Sequence, residues 1–259
     1  MLYGAIIGDM AGSVWEFHTI KHRPQKLFMP GSSFTDDTVM TIAVADALIN
    51  DKSFAAVMRQ WGHKYQYFGG LAGYGGNFAQ WLFDDKMPAY NSFGNGSAMR
   101  VSAVGYVERT LEDTLARAEM VASVSHNHPE GIKGAQAVAG AIFLARKGAT
   151  KPQIKAFVEG LGYDLSKTCD EIRPDYYHTE SCQGTIPATM VAFLESKDFA
   201  DCMELEISLG GDSDTMCAIA GGIAEAYYGI PAWMIAECRA RLPKDMLRVV
   251  NEFEVRDMA

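Results

Sequence analysis

Two adjacent glycines in the middle of a helical stretch constrain this chain more than any other feature. Residues 213–228 read SDTMCAIAGGIAEAYY, with Gly221 and Gly222 at the centre of a small, apolar run. Glycine in a helix interior is less favourable than alanine by about 1 kcal/mol. A stretch that keeps two of them is expected to gain it back in packing, because without a Cβ a second helix can come to backbone contact. Alanine, glycine, serine and cysteine are also dense in the stretches that begin near Asp36 and Gly131. These three are expected to be the inner helices of the fold, and two of them begin with acids.

The rest of the pattern is helical too. Asp36–Asn50 runs apolar at helical spacing, and Ser53 stands as an N-cap before the next stretch. Further helices are expected over GSAMRVSAVGYVERT, after Thr110, from Pro129 to the basic residues before Gly148, and after Thr150 with Pro152 in the first turn. More follow over IPATMVAFLES, FADCMELEISLGG, SDTMCAIAGGIAEAYYG, PAWMIAECRARL and KDMLRVVNEF. The segment from Tyr163 to Cys182 shows no period and reads as a long loop with one short strand, and the glycines from Gly69 to Gly76 read as another loop. Alternating β-branched runs are nearly absent, and no repeat or linker interrupts the chain. The expectation is one all-α domain spanning residues 1–259.

Charge narrows the function. The chain carries 32 acids against 23 bases, a net charge of −9. That argues against a broad nucleic-acid-binding surface or an anionic membrane as partner. The longest apolar run, residues 137–145, falls far short of the roughly 18 residues that suggest a membrane span. The opening MLYGAIIGDMAG lacks the basic start and long apolar region of a signal peptide. Five scattered cysteines without a CxxC pair read as reduced thiols. A cytoplasmic protein is expected, with a monomer favoured.

The acids at the helix starts carry the chemistry. FTDDTVM offers Thr35, Asp36, Asp37 and Thr38; GGDSDTM offers Asp212, Ser213, Asp214 and Thr215. Each cluster alone reads as an N-cap. A cap needs one acceptor, however, and each cluster offers three or four. Several carboxylates converging at a low-dielectric centre resist ionising together unless a cation joins them. Oxygen donors without imidazole or thiol suit Mg²⁺, Mn²⁺ or Ca²⁺, and the EF-hand spacing of a calcium loop is absent. Nearer the N-terminus, Asp9 reads as a residue that ends or caps a turn. Glu16, between Trp15 and Phe17, is a candidate general base or movable metal ligand.

Other features are weaker alone. NSFGNGSAMR is a turn whose amides can cradle a phosphate, although the Walker GK[ST] is missing. His126 and His128 lack the further His or Cys that a zinc site needs, and one of them could bond an anion. His18, Lys21, His22, Arg23 and Lys26 read first as a solvated loop, and second as a flap over an anionic ligand.

Taken in order, GDMAGSVWE, FTDDTVM, GYGG, SFGNGSAMR, SHNHPEGIKGA and LGGDSDTMCAIAGGIAEAYYG resemble the ADP-ribosylglycohydrolase family, over Gly4 to about Trp233. The resemblance implies an all-α fold and a centre of two Mg²⁺ ions, with Mn²⁺ possible. It implies cleavage of the bond between ADP-ribose and an acceptor on a protein, nucleic acid or small molecule. By motif, Thr35, Asp36 and Asp37 match one metal-ligand group and Asp212, Asp214 and Thr215 the other. Glu16 matches the glutamate beside the metals. Ser92, Gly94, Asn95 and Gly96 match the loop around diphosphate and ribose, and Phe93 the aromatic against adenine. Gly73, Tyr74 and Gly75 match the loop near the distal ribose, and His126 a ligand-contacting histidine. The expected reaction is attack of an activated water on the anomeric carbon through an oxocarbenium-like state, with Glu16, Asp37 or Asp214 as proton acceptor. The short span from Glu16 to Thr35 leaves the acceptor open. Alternatives are a magnesium hydrolase of a free derivative such as O-acetyl-ADP-ribose or of a phosphate ester, and a non-catalytic ADP-ribose-binding relative.

Overall fold

The computed structural model describes residues 1–66 and 73–257. Among them are fifteen helices and no strand. The first five are α1 (Tyr3–Gly12), α2 (Asp36–Asn50), α3 (Phe54–Lys64), α4 (Gly76–Phe83) and α5 (Gly96–Met99). Next come α6 (Val104–Val107), α7 (Leu111–Ser123), α8 (Pro129–Arg146), α9 (Lys151–Gly160) and α10 (Cys169–Ile172). The chain closes with α11 (Cys182–Glu195), α12 (Phe199–Leu209), α13 (Ser213–Tyr228), α14 (Ala232–Arg241) and α15 (Lys244–Asp257).

The glycine-bearing helix lies at the centre. Every residue of α13 from Ser213 to Ala224 is buried, as a helix without a polar face must be. Its tightest neighbour is α1, which the helical expectations did not include. Gly4, Gly8 and Gly12 recur every fourth residue and so share one face of α1. A Cβ built on them would lie 2.1 Å from the carbonyl oxygen of Gly221, 1.9 Å from that of Cys217 and 2.2 Å from that of Ser213. Those separations admit no side chain, so the two helices meet backbone to backbone. Gly221 faces Gly4, while Gly222 faces the other way, toward Ile142 of α8 and Ser102. The glycine pair thus allows close packing on both sides of α13.

Local signals set most helix ends. Thr35 accepts from Asp37 N at the start of α2, Ser53 from Ala56 N at α3, and Thr110 from Asp113 N at α7. Thr150 and Gln153 form a capping box at α9. Four expectations change. Asp9 neither ends nor caps a turn: it lies inside α1 and is fully buried. The stretch from Gly96 is two four-residue helices rather than one. Helix α11 begins at Cys182, capped by Ser181, so Pro187 sits inside it rather than near its start. The Tyr163–Cys182 segment holds the short helix α10 and no strand; its nearest approach to one is an isolated bridge between Ser181 and Gly94. Helix α4 was not anticipated from the glycine loop before it, and residues 69–72 of that loop lie outside the described residues.

One buried group has no part in the site described below. Glu206 of α12 is fully buried, neither carboxyl oxygen has a hydrogen-bond partner, and burial pushes its pKa well above the ordinary value. An unpartnered buried polar group costs about 1–3 kcal/mol. Glu206→Leu is therefore expected to stabilise the fold by about 1 kcal/mol or more in urea denaturation. A midpoint unchanged or lowered would contradict this account.

Candidate metal centre and ligand cleft

The start of α13 separates capping from ligation. Asp212 occupies the N-cap position, yet its side chain makes no capping bond. Its Oδ2 instead accepts from Asn95 Nδ2 at 2.7 Å. At α2 the capping falls to Thr35, which leaves Asp36 and Asp37 free of that duty. Gly210 and Gly211, with φ of 73° and 95°, turn the chain into this geometry, a conformation that favours glycine.

Asp9 joins them from α1. Its carboxylate accepts from Thr35 N at 2.9 Å, Thr35 Oγ1 at 2.8 Å, Thr38 N at 3.0 Å and Thr38 Oγ1. Asp37 Oδ2 is reached by Thr35 Oγ1 at 3.3 Å and Thr215 Oγ1 at 3.2 Å. Its Oδ1 is buried with no hydrogen-bond partner. Two triads of carboxylates result, Asp9–Asp37–Asp214 and Glu16–Asp212–Asp214. Within each, one oxygen per residue lies within 4.8 Å of the others. Asp214 belongs to both, so the triads define two adjacent positions that cations could fill.

Electrostatics point the same way. Burial, followed by neighbouring acids, raises the pKa of Asp37 and Asp214 well above the ordinary value. Burial pushes Asp36 to about 7 and Glu16 to about 8, helped in turn by Asp9 and by Asp214. Asp9 and Asp212 reach about 6 through burial, against the hydrogen bonds they accept. Carboxylates this close cannot all ionise without a compensating cation. An all-oxygen donor set with an unpartnered Asp37 oxygen fits a hard divalent ion.

Glu16, Asp37, Asp212 and Asp214 of the triads line one side of an open cleft, the concave kind of surface that small ligands use. Asp36, Asp37, Asp212, Asp214, Thr215 and Glu16 face it, together with Gly73, Gly75, Ser92, Gly94, Asn95, Gly96 and His126. Three expected residues stand apart. Thr35 turns its hydroxyl to Asp9 and Asp37. Tyr74 packs against Phe78, its hydroxyl buried without a partner. Phe93 is half exposed and lies edge-on to His128.

The glycine turn is tied down from two sides. Within it, Ser92 Oγ accepts from Gly94 N at 3.1 Å. Across to the start of α11, Asn95 N donates to Glu180 O at 2.7 Å and Cys182 N donates to Phe93 O at 3.0 Å. His128 caps α8 by accepting from Glu130 N at 3.1 Å, whereas His126 is buried at the cleft. Lys21 and Arg23, in the basic stretch after Glu16, lie on an exposed loop outside any helix, the first of the two readings, and neither lines the cleft. Lys21 Nζ donates to Leu209 O at 2.6 Å and to Tyr176 O, and Arg23 pairs with Asp201 and Glu204 of α12.

Sequence reasoning missed Asp9, Glu180 and Arg100, all near or lining the centre. For Asp9 a signal was present: GxxxGDxxG places an acid beside a glycine face that must pack closely.

The helical fold is shared with a known class of protein, and the sequence matches a family model over nearly its whole length. The ADP-ribosylglycohydrolase family model matches residues 1–258, and the chain belongs to that family. It is 27% identical to ADP-ribosylarginine hydrolase Tri1 of Pseudomonas putida (strain GB-1), over 90% of this chain and 72% of that protein. It is also 27% identical to ADP-ribosylhydrolase ARH3 of Mus musculus, over 88% of this chain and 83% of that protein. A solved structure titled ADP-ribosylglycohydrolase-related protein complex shares the fold. Its TM-score is 0.68 at 22% identity, covering 97% of this chain and 96% of that one. Among the described residues no helix is long and apolar enough to cross a membrane.

Proposed function

We propose that the chain is a divalent-metal-dependent hydrolase, folded as one domain, that cleaves the N- or O-glycosidic bond between ADP-ribose and an acceptor. The observation that carries this reading is the pair of triads sharing Asp214 on one side of a cleft whose other side is the Ser92–Gly96 turn. The names of the relatives support it. Asp9, Asp37 and Asp214 would hold one ion, and Glu16, Asp212 and Asp214 the other, with Asp36 and Thr215 alongside. Two Mg²⁺ ions, or Mn²⁺ in their place, supply orientation of the ribose hydroxyls and activation of water.

The chain's own residues do the rest. The Ser92–Gly96 turn and His126 bind the diphosphate, with the Gly96 amide at the start of the next short helix as the turn's donor, since Gly94 N and Asn95 N are already engaged. Asn95 holds Asp212 in place through its 2.7 Å bond. Glu16 is half-buried while the aspartates of the triads are buried. It is therefore the carboxyl best placed to take the proton of the water that attacks the anomeric carbon. The surrounding carboxylates stabilise the positive charge that develops on the ribose ring.

The test is incubation with arginine-, serine- and nucleic-acid-linked ADP-ribose and with O-acetyl-ADP-ribose, in Mg²⁺ and then in chelator. Release of ADP-ribose that stops on chelation is the expected result. No release from any of the first three excludes the proposed reaction, and release from O-acetyl-ADP-ribose alone favours the free-derivative reading. Activity that survives chelation removes the metal from the mechanism.

A pH dependence follows with a definite sign. Asp9 and Asp212 near 6, Asp36 near 7 and Glu16 near 8 keep protons in the folded chain that the unfolded chain releases at lower pH. Their raised values give stability that is fully present below the ordinary carboxylate range and lost as pH rises through about 6 to 8. In chelator, Tm is expected to fall across that window. Saturating Mg²⁺ is expected to oppose the fall, because binding favours the ionised carboxylates. Thermal scans at several pH values, with and without Mg²⁺, check both signs.

A further inference from the structure

His126 is held by a chain of hydrogen bonds that decides which of its nitrogens carries the proton. Arg100 is fully buried and lines the cleft. Its Nη2 donates to Val121 O at 3.2 Å, Ala122 O at 3.3 Å and Ser125 Oγ at 2.9 Å. Ser125, also fully buried, has its Oγ 2.8 Å from His126 Nδ1. A guanidinium only donates, so the Ser125 hydroxyl accepts from Arg100 and its one proton needs another acceptor. Among the described residues that acceptor is Nδ1. The imidazole must then carry its proton on Nε2.

The Nε2 edge is left open. A Cβ built on Gly96 would lie 3.2 Å from Nε2, and one built on Gly94 would lie 3.4 Å away. Glycine at both positions keeps that edge clear, beside the same turn that lines the cleft. Among the described residues Nε2 has no protein hydrogen-bond partner. Arg100 itself stays without a carboxylate, and its Nε and Nη1 are buried without partners. Its fixed positive charge therefore adds to the potential of the site and disfavours a second proton on His126. Burial, followed by that charge, holds the His126 pKa well below its ordinary value.

We infer that Arg100 and Ser125 are positioning residues that lock His126 as a neutral Nε2–H donor aimed at the diphosphate of the ADP-ribosyl group. The identity of the ligand rests on the function proposed above; the tautomer does not. A histidine of the opposite tautomer would present a lone pair to an anion, and the contact would be repulsive.

The two parts are tested separately. Long-range proton–nitrogen spectra of nitrogen-15 histidine-labelled protein, without ligand, are expected to show His126 as one neutral Nε2–H tautomer. Ser125→Ala removes one hydroxyl and is expected to give a mixture of tautomers. It should also raise the Kd for free ADP-ribose about tenfold, the scale of one hydrogen bond to a charged group. Arg100→Lys keeps the charge but loses the planar donor set, and is expected to loosen the tautomer if it folds. Ser125→Ala keeps the question decidable if it does not. An Nδ1–H tautomer in the wild type, or an unchanged spectrum in Ser125→Ala, overturns the positioning role even in a protein that binds ADP-ribose. Failure of the wild type to bind ADP-ribose overturns the assigned target and the proposed function, while the spectrum still judges the relay.

Discussion

Asp214→Asn is expected to lower ADP-ribosyl hydrolysis about a thousandfold or more, while the metal-free variant melts no lower than the wild type. Asp214 is the one residue common to both triads, so its loss weakens both cation positions together. Removing a single group that acts on the transition state costs about a hundredfold to a thousandfold, and groups that act as a unit cost more. Stability moves differently because Asp214 is fully buried among other acids, which raise its pKa after burial does. An amide of the same shape relieves that repulsion. Steady-state rates in Mg²⁺, with thermal scans in Mg²⁺ and in chelator, check both halves. The rise in Tm that Mg²⁺ gives the wild type should shrink in the variant. A variant that turns over at near full rate would remove the shared-ligand role.

Gly8→Ala is expected to destabilise the fold by about 3 kcal/mol or more, although it adds one methyl group. The usual penalty for overpacking is about 1–3 kcal/mol, taken up by side chains that shift. Here the added Cβ would lie 1.9 Å from the backbone carbonyl oxygen of Cys217, which cannot move without moving α13. Gly160→Ala is the control, since nothing lies within 4 Å of its Cβ position. There the better helix propensity of alanine is expected to leave stability unchanged or raise it by up to about 1 kcal/mol. Urea denaturation of both variants gives the comparison. Equal effects would sink the argument for backbone contact. The consequence reaches function because α1 carries Asp9 and α13 carries Asp214. Parting the helices would part the first triad.

The helices with strong end signals were legible. Asp36–Asn50 matches its expected bounds, and Ser53 and Thr110 cap where their spacing placed them. Where end signals were weak the reading slipped. The helix expected over IPATMVAFLES starts earlier, at Cys182 with Ser181 as its cap, so that Pro187 lies inside it. The segment after Tyr163 has no period because its shape depends on contacts with the Ser92–Gly96 turn and with Lys21.

The same division runs through the site. Oxygen-only clusters at the starts of two small-residue helices were visible in the sequence, because ligand type and helix starts are local properties. Whether those acids cap or converge was not local. It depended on Asn95 taking the carboxylate of Asp212, and on Thr35 doing the capping at α2. Asp9 shows the limit most clearly. Its sequence neighbours are a glycine and a methionine, and its four donors come from Thr35 and Thr38, which lie 26 and 29 residues away. The sequence by itself determined an all-α fold, the inner helices at Asp36 and Ser213, and the chemistry of their acids. Only the tertiary structure decided that α1 lies against α13 and that five aspartates and a glutamate meet. Periodicity and capping act within a few residues, whereas the meeting of carboxylates depends on helices packed at the range of a missing Cβ.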